Sequence, residues 1–328
     1  MKFALDQTRR LGRTNVRVTP LGLGCAALGN LYAPVDDEVA TGTVHAALES
    51  GIRFFDTSPY YGYGLSEQRL GAALANTDTP TDDVVLSSKV GRLLVPRAGA
   101  PRDDQGFVEA LGFDPVFDYS YDGVMRSFES SLARLGRDRV DVVLIHDVGA
   151  LTHGDDQHAR TFETAMGGGY RALDELRRDG RVGAIGLGVN ECAVCLEAME
   201  RGDFDCFLLA GRYTLLEQGA QHALLPECEK RGISVVVGGP YNSGILVEGP
   251  EAGAHYDYAP APEPVLERAR RIHAVCRAHG VPLAAAALQM PLHHPAVASV
   301  IPGESSPLEV RSGVRWLEHA IPDALWRD

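Results

Sequence analysis

Short apolar runs recur along the chain at positions 21–25, 52–56, 84–88, 140–146, 183–189, 204–209, 233–237 and 298–301. A segment with helical period separates most of them. This alternation constrains the fold more than any other feature. Continuous apolar runs rich in β-branched residues suit parallel strands covered on both faces, and parallel strands need crossover helices. The clearest helix is 122–136, where Asp122 can cap the start, Val124, Met125, Phe128, Leu132 and Leu135 share one face, and Gly136 ends it. Similar segments lie near 37–50, 66–75, 169–179, 191–201, 218–231, 264–279 and 307–319. Eight such units predict an α/β protein, a (β/α)8 TIM barrel forming a single domain over residues 1–328. The competing architecture is an open doubly wound sheet. Its usual Gly-rich phosphate turn is not matched, since glycines 22, 24 and 29 do not spell GxGxxG. Residues 8–18 read as two short strands around a Gly-Arg-Thr-Asn turn, a β-hairpin closing the bottom of the barrel. The stretches 91–121, 147–168 and 240–263 are too long for tight connections, and each follows a strand's C-terminal end.

The formal charge of −13, with no Lys/Arg block, disfavours nucleic acid and anionic membrane surfaces as partners. No run approaches the length of a spanning helix, and MKFALDQTRRLG lacks a signal-peptide apolar core. These features predict a cytoplasmic protein, acting as a monomer or small homo-oligomer. The six cysteines fit that compartment. Cys25, Cys206 and Cys276 sit in apolar runs. Cys192 and Cys195 have CxxC spacing, but no second pair follows at zinc-ligand distance. His153, Asp155, Asp156 and His158 fall in a polar segment and read as solvated surface. No metal is expected. His293 and His294 read as helix capping, and Trp316 and Trp326 as packing residues.

Polar residues that end barrel strands point into the active-site mouth. The second run ends at Asp56, the third continues to Lys89, the fourth ends at His146, and Tyr61 lies just past the second. Together they make a proton-transfer device. A free tyrosine titrates near ~10, and a neighbouring ammonium lowers that by favouring the phenolate. Asp56 would hold Lys89 charged, and His146 would orient a substrate oxygen or relay a proton.

The stretch GIRFFDTSPYYGYGLSEQRLGAAL, with LSSKVG and DVVLIHD following in order, resembles the aldo-keto reductase family over about residues 8–319. The resemblance implies a catalytic tetrad of Asp56, Tyr61, Lys89 and His146, with Tyr61 handling the proton. It also implies an extended nicotinamide dinucleotide bound without a Rossmann turn. Asn190 matches the usual carboxamide contact, but the serine before it is Val189, and Ala210 replaces the usual glutamine. Arg212, Tyr213 or both are the implied substitutes. The GGPYNSGIL segment resembles the pyrophosphate loop, with Gly239, Asn242, Ser243, Gly244 and Leu246 lining it. IPGESSP resembles the adenosine-phosphate loop, with Ile301, Pro302 and Gly303 in place. Glu304 and Glu309 stand where phosphate-binding relatives carry Lys or Arg. A carboxylate there repels a 2′-phosphate and accepts bonds from free ribose hydroxyls, so NAD is favoured, with NADP possible through Ser305 and Ser306.

Within the family, LAGRYTLLEQ, GLGVNE and GGPYNSGIL look like the branch that oxidises aldoses at C1 to lactones, with substrates of L-fucose, D-arabinose or L-galactose type. Enzymes that oxidise pyridoxal to a lactone look similar, so a sugar or a pyridoxal-like small molecule is the expected substrate. The loops hold both kinds of wall: Tyr119, Tyr121, Tyr241 and Tyr256 on one side, Asp118, Asp147 and Asn242 on the other. Two further readings stay open, a cofactor-binding sensor subunit with negligible turnover and a reductase of foreign carbonyls running on NADPH.

Overall fold

The computed structural model describes residues 3–99, 105–251, 253–257 and 259–328. Residues 100–104 of the expected 91–121 excursion, and 252 and 258 of the 240–263 one, lie outside the described residues. The barrel strands are β1 Leu23–Gly24, β2 Phe54–Asp56, β3 Val85–Val90, β4 Val142–His146, β5 Ala184–Val189, β6 Cys206–Ala210, β7 Ser234–Gly238 and β8 Val297–Ile301. Each pairs in parallel with its neighbours in sequence. Parallel bridges Leu21–Val300 and Gly24–Gly303 join the first strand to the last. Across that seam the Gly22 amide donates to the Val300 carbonyl at 3.0 Å and the Val300 amide to Pro20 at 2.8 Å. The expected (β/α)8 barrel is present.

Side chains alternate along each strand and divide the core in two. Phe54, Val142, Leu144, Ala184, Leu208 and Val236 fill the barrel interior. Their neighbours Phe55, Val143, Ile145, Ile185, Phe207 and Val237 face the helices. Leu11 and Val18 of the N-terminal hairpin, both fully buried, belong to the interior cluster and plug its floor. The hairpin pairs Arg9 with Val18 and Arg10 with Arg17. Its turn presses on the N-terminal ends of β6 and β7. Gly12 has φ +55, donates to the Ser234 hydroxyl at 2.7 Å, and a Cβ there would meet the Asp205 carbonyl oxygen at 2.3 Å.

The helices include α1 Asp37–Ser50, α2 Leu65–Ala75, α3 Tyr121–Leu135, α4 Tyr170–Arg178, α5 Cys192–Met199, α6 Leu224–Arg231, α7 Glu263–Ala278, α8 Leu283–Gln289 and α9 Pro307–Glu318. The cap of α3 is Ser120, whose hydroxyl accepts from the Gly123 amide at 3.1 Å, rather than Asp122; Gly136 ends the helix in the left-handed region as expected.

Three segments differ from the sequence expectation. The stretch 147–168 is largely helical. Ala150–His153 and Asp155–Thr164 lead through a π-turn, Ala165–Gly169, directly into α4. Three consecutive glycines read as a loop on propensity, and packing of the widened turn overrides it. Between β7 and β8, besides the one-turn helix Ile245–Glu248, there are two helices rather than one. The missed one, α8, is LAAAALQ with every residue buried, so it carries no polar face and no amphipathic period. The 91–121 excursion holds an antiparallel hairpin, Arg92–Pro96 with Phe113–Phe117.

Candidate active site

Strand parity gathers the chemistry. Asp56 follows Phe54 by two residues and His146 follows Leu144 by two, so both face the barrel interior at its C-terminal end. Ser87 and Lys89 share the inward face of β3. The long Lys89 side chain needs space beside it, and Gly188 on β5 provides that space: a Cβ there would lie 3.2 Å from Lys89 Cε. Lys89 Nζ donates to Asp56 Oδ2 at 2.6 Å, to the Thr57 carbonyl at 3.0 Å and to the Tyr61 hydroxyl at 3.0 Å. The Ser87 hydroxyl donates to the other Asp56 oxygen at 2.8 Å. Both charged partners are about 1% exposed.

Charge in so dry a site survives only when paired. Burial alone would lower Lys89, but the Asp56 carboxylate and then Tyr61 outweigh it and hold the ammonium above its ordinary range. Burial raises Asp56, against the Lys89 charge and the Ser87 hydroxyl. For His146, burial and then the Arg92 and Lys89 charges all push downward, leaving the imidazole neutral at pH 7. Its Nδ1 lies 3.2 Å from the Ser58 hydroxyl.

Tyr61 opens the 3-10 turn Tyr61–Gly64, in which Gly62 and Tyr63 both take positive φ. The rest of the sequence motif anchors this turn. The Ser66 hydroxyl donates to the Cys25 carbonyl at 2.7 Å and meets the Thr57 hydroxyl at 2.8 Å. Glu67, fully buried, accepts from Ser88 at 2.8 Å and Arg134 at 2.6 Å. Asp56 and the Thr57 carbonyl hold Lys89, and Ser66 and Glu67 supply the fastening.

A cleft of about 450 Å³ runs from Asp56 and Tyr61 along the C-terminal ends of β5 to β8. Asn190, Gly239, Asn242, Ser243 and Gly244 line it, as do Ile301, Gly303, Glu304 and Glu309. Asn242, Ser243 and Gly244 all take positive φ, turning the chain over the cleft. Asn242 is also tied down, donating to Gly211 and accepting from the Thr214 hydroxyl at 2.6 Å. Three expected contacts lie elsewhere. Leu246 is fully buried in the core beside α7 and α8. Tyr213 packs into the outer core, with its ring 6.2 Å from His294. Arg212 pairs with Asp257, which itself lines the cleft.

The two carboxylates near the cleft's far end behave differently. Glu309 is the fourth member of a capping arrangement at α9, accepting from the Ser305 amide at 2.6 Å and hydroxyl at 3.0 Å. Glu304 is 3% exposed, and neither of its oxygens nor the buried Tyr241 hydroxyl has a hydrogen-bond partner among the described residues. Burial raises the Glu304 carboxyl to about 8. Trp316, expected only to pack, stands edge-on to Tyr241 and forms part of the cleft wall. A glycine-rich, largely apolar cleft with unpartnered buried oxygen atoms fits an extended dinucleotide.

Beyond His146 the sequence reading found Asp147 but missed Arg92. Arg92 opens the hairpin after β3 and pairs with Asp147. No periodicity marks it. The mixed loop residues also separate. Tyr119 is buried and donates to the His146 carbonyl at 2.7 Å. Tyr121 lies under the Arg171 guanidinium at the start of α3. Asp118 pairs with Arg126, and the Tyr256 hydroxyl donates to Glu217 at 2.7 Å. His153 contacts the Tyr119 hydroxyl at 3.1 Å and His158 contacts Glu197 at 2.8 Å. Cys192 and Cys195 are free, as are the other four cysteines.

Known proteins resemble the chain over nearly its full length. The chain is 45% identical to pyridoxal 4-dehydrogenase of Microbacterium luteolum over 335 residues, covering 99% of this chain and 97% of the relative. It is 36% identical to D-threo-aldose 1-dehydrogenase of a Pseudomonas species, covering 95% and 93%. An aldo-keto reductase from Bacillus halodurans, solved in its holo form, superposes with a TM-score of 0.74 at 25% identity, covering 97% of this chain and 92% of that one. The model of the aldo/keto reductase family matches residues 20–327, and the chain belongs to that family.

Proposed function

We propose that residues 1–328 act as one barrel domain that oxidises a cyclic hemiacetal to a lactone with NAD, the substrate being an aldose of L-fucose, D-arabinose or L-galactose type. The observation that carries this reading is the Tyr61 hydroxyl 3.0 Å from a buried ammonium that Asp56 holds at 2.6 Å. Members of the family use NAD(P)H, and the bound dinucleotide supplies the acceptor for the hydride leaving the substrate carbon. Tyr61 takes the proton from the carbinol hydroxyl. Lys89 favours the phenolate that does so, and Asp56 keeps Lys89 charged and aimed. Neutral His146 donates to the same substrate oxygen. Hydride and proton together account for the two electrons and two hydrogens lost as carbinol becomes carbonyl.

A second reading, pyridoxal, draws support from the 45% identical relative and from aromatic walls, with the Tyr60 and Phe107 rings 5.3 Å apart next to Tyr61. NAD is favoured over NADP because the Glu309 side chain lines the far end of the cleft; Glu304, whose carboxyl burial raises to about 8, carries no charge there to repel a 2′-phosphate at pH 7. No helix among the described residues is long and apolar enough to cross a membrane; we assign the enzyme to the cytosol.

The test is absorbance at the reduced-nicotinamide band, with L-fucose, D-arabinose, L-galactose and pyridoxal each offered with NAD and with NADP. Turnover of a sugar with NAD is expected. Turnover of pyridoxal alone replaces the substrate and keeps the mechanism. No turnover on any of the four overturns the assignment.

A further inference from the structure

The Asp147 carboxylate stands 3.4 Å from His146 Nε2. A bare carboxylate so close would draw a proton onto the imidazole and make an imidazolium–carboxylate pair. That pair would spend the Nε2 edge on Asp147 instead of a substrate oxygen. Arg92 stands in the way. Its Nη2 donates to Asp147 Oδ2, and its guanidinium lies 3.8 Å over the Tyr60 ring and 4.6 Å from the Phe117 ring. The ion pair is largely dry, with side-chain exposures of 9% and 14%. Arg92 Nε has no hydrogen-bond partner among the described residues, so Asp147 and the two rings are what hold the group.

Asp147 is placed with care. Its φ is +48, a region that disfavours a residue with a Cβ. The Asp147 amide donates to the Gly188 carbonyl at 2.9 Å, and the Tyr119 hydroxyl lies 3.0 Å from its carbonyl. These bonds hold the carboxylate between His146 and Arg92.

We propose that Arg92 is a positioning residue for His146: by claiming the Asp147 carboxylate it leaves the imidazole Nε2 edge to the substrate oxygen. The inference rests on the reading of His146 as a donor to that oxygen. Other groups also face the ring. Lys89 approaches from β3, with Asp56 behind it. Tyr60 and Tyr61 approach from the loop after β2, with ring centroids 6.0 and 6.2 Å away. Ser58 sits at Nδ1, and His153 contacts the Tyr119 hydroxyl and also acts on Asp147. Asp147 is the carboxylate at Nε2, and Arg92 is its counter-charge.

Nitrogen-15 NMR of histidine-labelled full-length protein reads the imidazole directly and needs no substrate. Wild-type His146 should stay neutral throughout the ordinary imidazole titration range. Arg92→Gln should bring a His146 titration into that window, Arg92→Lys should not, and Arg92→Gln with Asp147→Asn should remove it again. Arg92→Met, which keeps a stem between the rings, replaces Gln if that variant does not fold. In turnover, Arg92→Gln should gain an acid limb relative to wild type, kcat/KM falling about tenfold per pH unit below the new midpoint. A loss of activity equal at every pH, with His146 titrating as in wild type, overturns the proposal. So does a wild-type His146 that titrates within the window. The expected titrations without turnover on any of the four compounds would leave Arg92's role standing and sink the substrate reading.

Discussion

The Tyr61 hydroxyl and the Lys89 ammonium, 3.0 Å apart, are the smallest unit with chemistry of its own, and they depend on Asp56. Lys89→Met would leave a buried carboxylate without its counter-charge. A loss of about 3–5 kcal/mol is expected in urea unfolding, together with loss of turnover. Adding Asp56→Leu should restore much of the stability and none of the turnover. Glu304 makes a separate residue-scale case. Its folded carboxyl, raised to about 8, keeps a proton that the unfolded chain releases near ~4.3. Its contribution to stability is therefore complete below the ordinary carboxylate range and is lost as pH rises through 8. Glu304→Gln should gain on wild type between pH 5 and 8, by of the order of a few degrees in Tm. A difference that does not change with pH would contradict the burial of a neutral carboxyl.

At the scale of elements, sequence periodicity works wherever a segment has two unlike faces. Helix α3 is legible because Val124, Phe128, Leu132 and Leu135 bury one stripe and charged residues cover the other. Helix α8 is invisible to the same reasoning because all seven residues are buried. The glycines of the π-turn before α4 hide a helix for a different reason, since propensity there yields to packing. The strand ends were legible because Asp56 and His146 interrupt apolar runs at inward-facing positions. Arg92 was not, since its role depends on a hairpin folding back over Tyr60. Two substitutions test the packing. Ala286→Leu adds volume where a fully buried alanine sits and should cost about 1–3 kcal/mol. Gly12→Ala forces a Cβ to within 2.3 Å of the Asp205 carbonyl oxygen, at φ +55, and should destabilise the barrel floor by a similar amount. Unfolding midpoints within error of wild type for both would contradict the described contacts.

For the whole molecule, the barrel brings residues from three separate segments to one mouth and runs a cleft away from it along later strands. That Asp56, Tyr61, Lys89 and His146 would meet was legible in the sequence through three ordered motifs. It was less informative about the cleft, because Leu246, Tyr213 and Arg212 sit in matching positions yet point to the core or to Asp257. Motif matching follows chain position, whereas lining a cleft depends on side-chain direction. The central claim is that Tyr61 handles the proton at this mouth. The most direct measurement compares Tyr61→Phe with wild type by turnover on the accepted substrate and by calorimetric titration with NAD. The account predicts unchanged cofactor affinity and a fall in turnover of about 10²–10⁴-fold or more. Turnover close to wild type in that variant would contradict it.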